Sequence, residues 1–144
     1  MGTVSFHNAD VSFRCPQRRK LRNWLNQVAV CQGVEVESVA IIFCSDDYLL
    51  DLNRTHLQHD YFTDIITFDD RRGHLLLGEL YISIDRVKDN APRFQSSFLD
   101  ELHRVMVHGL LHLCGLGDKT ESEAQRMRQA EDDMLALRAS FLQP

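Results

Sequence analysis

The chain has 144 residues, 44% hydrophobic and 26% charged, with a formal net charge of −5. That is one domain's worth of ordinary globular sequence, long enough to bury a substantial core, so residues 1–144 are expected to form a single domain. No apolar run approaches a membrane span, Met1 to Asp10 lacks the basic start and apolar block of a signal peptide, and a cytoplasmic protein is expected. The acidic balance argues against indiscriminate nucleic-acid binding through overall charge. Cys15, Cys31, Cys44 and Cys114 are scattered without a C-x-x-C pair and read as reduced packing residues.

In chain order, Thr3 to His7 alternates Val4 and Phe6 with polar residues and predicts a short strand, which Val11 to Phe13 continues or pairs with. Pro16 suits the first turn of a helix whose inward residues Leu21, Trp24, Leu25, Val28 and Ala29 recur until Gly33. Its outer side carries a basic cluster, Arg14, Arg18, Arg19, Lys20 and Arg22, which is either a solvated face or a phosphate-contacting one. Val36 to Cys44 turns from alternating to continuously apolar, as a strand entering a buried sheet does. Ser45 with Asp46 and Asp47 caps the next helix, with Leu49, Leu50, Leu52 and Asn53 inward, and a loop follows from Leu57 to Phe62.

Thr63 to Phe68 and Leu75 to Ile84 are strands, and the polar turn Asp69 to Gly73 makes them an antiparallel hairpin. Asp85 to Asn90 is helical until Pro92, and from about Ser97 an apolar run predicts a largely buried helix. Glu121 to Phe141 is a last long helix with Ala124, Met127, Met134, Leu135 and Leu137 inward. Strands in the first half and helices in the second give an α+β fold: a small mixed β-sheet with a central helix packed among several others.

The chemistry concentrates in His108-Gly109-Leu110-Leu111-His112-Leu113-Cys114-Gly115-Leu116-Gly117-Asp118. Histidines four apart on a helix lie on one face a turn from each other, close enough for both imidazoles to bind one ion. A third ligand requires the chain to break and fold back; Gly115 and Gly117 permit the break, and Asp118 is the first strong ligand type beyond it. Two imidazoles, a glycine stop and a returning carboxylate give three protein ligands and an open position, the layout of catalytic zinc. The plainer reading of the same residues is a pair of core histidines satisfied by carbonyls, with Asp118 capping the helix that starts near Thr120. His103 lies five residues before His108 and is off that face; it and His7, His56, His59 and His74 read as surface or packing residues.

With these blocks placed, the chain resembles the YbeY family of bacterial endoribonucleases and rRNA maturation factors. The family carries H-G-x-L-H-L-x-G-Y-D-H, and residues 108–115 match its first eight positions. Its L-N followed by P-T-[DN]-V-L-S-F is similar to Leu52-Asn53 and Phe62-Thr63-Asp64-Ile65-Ile66-Thr67-Phe68, and its L-G-D-I-x-I-S to Leu77-Gly78-Glu79-Leu80-Tyr81-Ile82-Ser83. Two departures bear on chemistry. Asp118 stands where the family has its third histidine, ten residues after the first, although a one-residue shift would put Lys119 there; protonated lysine has no lone pair, which favours Asp118. The family's arginine after Leu-Asn is Leu57 here, a loss that Arg54 or a neighbouring cation would have to compensate.

The resemblance implies a divalent-metal endoribonuclease, with Zn²⁺ the expected ion, acting in maturation of the 16S rRNA 3′ end and in ribosome assembly and quality control. Its expected partners are rRNA, the small ribosomal subunit and ribosomal or assembly proteins. The ligands are His108, His112 and Asp118, the catalytic carboxylate candidates are Asp64 and Glu79, and the RNA-contacting candidates are Arg18, Arg19, Arg22 and Arg54. Such an ion lowers the pKa of bound water and polarises a phosphoryl oxygen. Two other readings fit parts of the pattern. A zinc peptidase would need the glutamate of H-E-x-x-H where Gly109 stands. A non-catalytic assembly factor would use the ion only to fix the helix and the C-terminal segment.

Overall fold

The structure, a computed structural model, describes residues 2–59 and 61–142. The elements run β1 (Thr3–Asn8), α1 (Arg18–Cys31), β2 (Glu35–Cys44), α2 (Asp46–His56), β3 (Ile65–Asp69), β4 (Leu75–Ser83), α3 (Ile84–Arg93), α4 (Phe98–Leu113) and α5 (Glu121–Leu142). The sheet order is β1-β2-β4-β3, with β1, β2 and β4 parallel and β3 antiparallel to β4. This is the expected α+β fold with a mixed sheet and a β3–β4 hairpin.

One face of the sheet carries the main core. Val4, Val39, Ile41, Phe43, Leu76, Leu80 and Ile82 meet Leu21, Trp24, Leu25 and Val28 of α1 and Leu102, Val105, Met106, Leu110 and Leu113 of α4. Removing each of these side chains from water contributes roughly 1.5–3 kcal/mol. α5 lies over α1 and α4, where Met127 is buried and Trp24 Nε1 donates to the Met134 carbonyl at 2.9 Å. The other face is covered only in part by α2, through a smaller cluster of Cys44, Leu49 and Ile66 with Leu52, Phe68 and Tyr81 packed against it.

α4 is enclosed because it is apolar nearly all round, and ten of its sixteen residues are buried. Close approach to the sheet depends on Gly109, where an added Cβ would sit 2.5 Å from Ile65 Cδ1 and 3.1 Å from Leu80 Cδ2. Serines start three helices as expected of N-caps: Ser45, Ser83 and Ser97 accept from the backbone N–H of Tyr48, Arg86 and Asp100.

Several expectations are corrected. Val11 to Phe13 is not a strand; Asn8 Nδ2 donates to the Phe13 carbonyl at 3.0 Å, and the Phe13 ring packs edge-on against Phe43 and Phe98. Pro16 lies before α1 and not in its first turn, since Gln17 takes a left-handed conformation and the helix starts at Arg18. Pro92 sits inside the last turn of α3, so the helix runs on to Arg93 without the N–H that would reach the Lys88 carbonyl. On α5, Ala124 faces solvent, while Glu131 is buried. The four cysteines are free; burial pushes the thiols of Cys15 and Cys114 up to about 11 and that of Cys44 to about 12, as fits packing residues, whereas Cys31 is exposed near the end of α1 and is not one.

Candidate metal centre

The site is built where α4 stops. Gly115, at φ 107°, turns the chain so that Leu116 N–H donates back to the Leu111 carbonyl at 3.1 Å and Gly115 N–H to the His112 carbonyl at 3.0 Å. This is a glycine C-cap, reinforced by Arg71 of the β3–β4 turn, whose Nη1 donates to the Cys114 carbonyl at 2.9 Å. Gly117 does not take a left-handed conformation; its lack of a side chain leaves room for the Glu123 carboxylate, 2.5 Å from where a Cβ would stand. The cap of α5 is Thr120, whose Oγ1 accepts from Glu123 N–H at 3.0 Å while Glu123 Oε1 accepts from Thr120 N–H at 3.2 Å. The reciprocal pair satisfies the helix start without Asp118, which is left to face α4.

Three ligand atoms converge there. His108 Nε2 and His112 Nε2 are 3.0 Å apart, and Asp118 Oδ2 lies 3.4 Å from the first and 3.3 Å from the second. Among the described residues this is the group of histidine, cysteine and carboxylate side chains whose ligand atoms lie mutually within reach of one ion. The far side of each ring decides which nitrogen carries its proton. His112 Nδ1 is 2.9 Å from the Leu116 carbonyl, which only accepts, so Nδ1 holds the hydrogen and Nε2 of the neutral ring presents a lone pair. His108 Nδ1 is 2.6 Å from Glu131 Oε2 and donates to that carboxylate in the same way. Two lone pairs and a carboxylate aimed at one point are a cation's donor set, so the residues present fit the metal expected from the sequence. The C-terminal end of α4 adds the negative end of its dipole.

Glu131 is the functional residue that sequence reasoning missed. It is 6% exposed and is held by Arg104, whose Nη1 donates at 2.8 Å while its Nη2 reaches Asp132 at 2.7 Å. Burial alone would lift the Glu131 carboxyl, but its bonds to His108 and Arg104 hold it below its ordinary value. Burial works against charge on His108 too, yet the hydrogen bond and charge of Glu131 raise it overall. One signal was available: Glu131 stands four residues after Met127 and four before Leu135, so the spacing of α5 puts a carboxylate on its inward face.

A cleft of about 490 Å³ adjoins the centre across His108, and Asp64, Glu101, Arg104, Arg128 and Glu131 line it. Asp64 is thus beside the ligands; burial pushes its carboxyl up against the pull of His108. Glu79 is not. It is exposed and follows Gly78, whose Cβ position points at Leu113 of α4, so it stands on the opposite sheet face. Gly109 likewise points at the sheet, and no glutamate could occupy that position facing the ligands. Arg18 and Arg19 are exposed along a shallow basic groove with Arg14, Lys20 and Arg22, apart from the cleft, and Arg22 also donates to the Val4 carbonyl at 2.9 Å and lies over the Phe6 ring. Arg54 is exposed on α2, and Leu57, 42% exposed, ends that helix.

The profile of the family described as Endoribonuclease YbeY matches residues 4–138. A protein of Cytophaga hutchinsonii named Endoribonuclease YbeY is 49% identical over 138 residues, 94% of this chain and 96% of its own. One of Phocaeicola vulgatus with the same name is 46% identical over 134 residues, 93% and 97% of the two chains. The solution structure of a Thermotoga maritima protein shares the fold with a TM-score of 0.62 at 23% identity, over 96% of this chain and 93% of that one. The match spans the sheet, the histidine helix and most of α5, and the chain belongs to the Endoribonuclease YbeY family.

Proposed function

We propose that this chain is an endoribonuclease that matures ribosomal RNA, with residues 1–144 acting as one domain around a single divalent ion, Zn²⁺, held by His108, His112 and Asp118. The observation that carries the metal is the pair of acceptors behind the rings, Glu131 at His108 Nδ1 and the Leu116 carbonyl at His112 Nδ1, which leaves both Nε2 atoms facing Asp118. Family membership supplies the reaction, and the cleft beside His108 supplies a place for the substrate.

An ion held there supplies Lewis acidity toward a phosphodiester oxygen and toward water. The rest is the work of side chains. Asp64 borders His108, and its carboxyl, raised by burial, accepts a proton from the attacking oxygen better than an ordinary aspartate does. Arg104 is fixed by Glu131 and Asp132 at the cleft wall and, with Arg128, offsets phosphate charge. Arg18, Arg19 and Arg22 contact the RNA backbone away from the cut; Glu79 has no part in the reaction. No helix among the described residues is long and apolar enough to cross a membrane, and a cytoplasmic enzyme working on the small ribosomal subunit, at the 16S rRNA 3′ end, fits this reading.

The test is elemental analysis of the purified protein without added metal, wild type beside Asp118→Ala, followed by cleavage of a single-stranded RNA with the ion restored. One ion per chain in the wild type, weakened in the variant together with cleavage, is expected. A wild type that retains its ion but cleaves no RNA would overturn the nuclease reading and favour an assembly factor whose ion is structural.

A further inference from the structure

The turn between α3 and α4 holds an aromatic ring in the open. Phe94 is 63% exposed, yet its backbone is tightly fixed. Phe94 N–H lies 3.2 Å from both the Asn90 and Ala91 carbonyls, Gln95 N–H donates to Pro92 at 3.1 Å, and Ser96 N–H donates to Ala91 at 2.9 Å. Gln95 is left-handed at φ 54°, which closes the turn. These backbone bonds anchor the turn at the rim of the cleft, which Phe94 lines together with Asp64, Glu101, Arg104, His108 and Arg128.

These walls are chemically unlike one another in a way that describes a ligand. A flat apolar ring stacks on a base, and a guanidinium pairs with phosphate. Carboxylates accept hydrogen bonds from exocyclic amino groups and repel carbonyl oxygens. Glu101 is only 5% exposed and lines the same cleft as Asp64, Glu131, Arg104 and Arg128; burial, then the charge of Asp64, raises its carboxyl, and Arg104 pulls it down. The volume, about 490 Å³, is in the range of small-molecule sites and suits a single nucleotide. The acidic residues do not make a second cation site: among the described residues, the ligand atoms close enough for one ion belong to His108, His112 and Asp118.

We infer that this cleft is a one-base pocket beside the metal centre that stacks a base of the RNA on Phe94 and favours an amino-bearing base, cytosine over uracil, through the carboxylate of Glu101. At ring position 4, uracil carries a carbonyl oxygen that a carboxylate repels and keeps one N3–H donor between two such oxygens, whereas cytosine, a ring of the same size, carries an amino group there that donates. The inference rests on the ribonuclease reading for its substrate, but not for its test.

The full chain, kept metal-free with chelator, is titrated with CMP and with UMP and followed by calorimetry or backbone NMR. CMP is expected to bind about tenfold more tightly than UMP, the discrimination of one good base contact. Phe94→Ala, at an exposed position, should weaken both nucleotides by about tenfold. Glu101→Gln, which adds a donor, should bring the CMP-to-UMP ratio to within about twofold. Equal wild-type affinities, or an unchanged ratio in a folded Glu101→Gln protein, overturn the pocket. If that variant does not fold, the wild-type ratio and Phe94→Ala decide. Cleavage of two oligonucleotides differing by C or U next to the cut is run in parallel with metal restored. Cleavage with neither base preference nor nucleotide selection overturns the pocket and leaves the nuclease standing; nucleotide selection without cleavage does the reverse.

Discussion

Replacing Glu131 tests the central claim about the metal centre, that a carboxylate which touches no ion sets the ring that does. Its side chain is 8% exposed and makes two charge-assisted hydrogen bonds, 2.6 Å to His108 and 2.8 Å to Arg104. Bonds to charged groups contribute roughly 1.5–3 kcal/mol each. Arg104 keeps Asp132 and is 30% exposed, and His108 is 25% exposed, so both partners recover hydration and the net loss in Glu131→Ala is about 2 kcal/mol. With an unfolding entropy of about 2.1 cal/mol/K per residue, a chain of this length would lose about 7 °C in Tm. Glu131→Gln keeps shape and one acceptor and should lose about half of that.

Metal affinity is the more telling readout. Removing the partner of a metal-bound histidine typically weakens the ion by ~10–100-fold, and Glu131→Gln should fall at the lower end of that range when zinc is titrated against a competing chelator at pH 8. In the metal-free protein, His108 is raised above its ordinary 6.5 and Glu131 lowered below its ordinary 4.5. The pair's contribution is therefore complete between those two values. It is lost as pH rises through the folded His108 value and as pH falls through the folded Glu131 value. Urea midpoints of wild type minus Glu131→Gln, taken in chelator, should be largest near pH 5.5. A Glu131→Gln protein whose zinc affinity stays within twofold of the parent, with the same stability difference at pH 5.5 and pH 8, would refute the reasoning.

Three further outcomes are expected. Asp118→Ala should weaken zinc beyond the loss caused by Glu131→Gln, whereas Asp118→His should tighten zinc relative to manganese or magnesium, because imidazole replaces a harder oxygen; competition dialysis reads the ratio. His103, 5% exposed, is lowered from 6.5 to about 4 by burial and then by Arg138, whose Nη1 donates to His103 Nδ1 at 2.8 Å. The stability this neutral ring contributes is fully present above 6.5 and is lost as pH falls toward 4, about 2 kcal/mol of it between pH 7 and pH 5, and His103→Gln should flatten that slope in urea titrations. Gly109→Ala would force a Cβ to 2.5 Å from Ile65 Cδ1, and overpacking of ~1–3 kcal/mol should exceed the ~1 kcal/mol gain in helix propensity, so the variant unfolds at lower urea.

What could be read from the residues alone followed from local periodicity and spacing. The i, i+4 histidines, the glycine after them and the Ser45 cap are local chemistry, and the structure places each where the pattern requires. Elements defined by distant partners were harder. Val11 to Phe13 has a strand's composition, but its aromatic ring is claimed by Phe43 and Phe98 across the fold. Glu79 sits in a block that resembles the family's, yet strand alternation turns it away from the ligands, and only knowing which face α4 covers decides that. Whether Asp118 caps a helix or binds an ion hinged on Thr120 and Glu123 closing the cap between themselves. Glu131 lies in an acidic run, Glu131-Asp132-Asp133, that resembles a solvated surface, and its burial depends on Arg104, 27 residues earlier.

The position of α5 bears on when the protein becomes competent during its own synthesis. His108, His112 and Asp118 emerge first, but Glu131 follows 13 residues after Asp118, and the carbonyl that receives Trp24 belongs to Met134. At ~5–20 residues per second, translation separates the ligands from their clamp by about 1–3 s, during which His108 lacks the carboxylate that fixes its proton. A nascent chain thus carries His108 and His112 before it carries the carboxylate that orients the first of them, so the centre reaches its full strength only once α5 has docked.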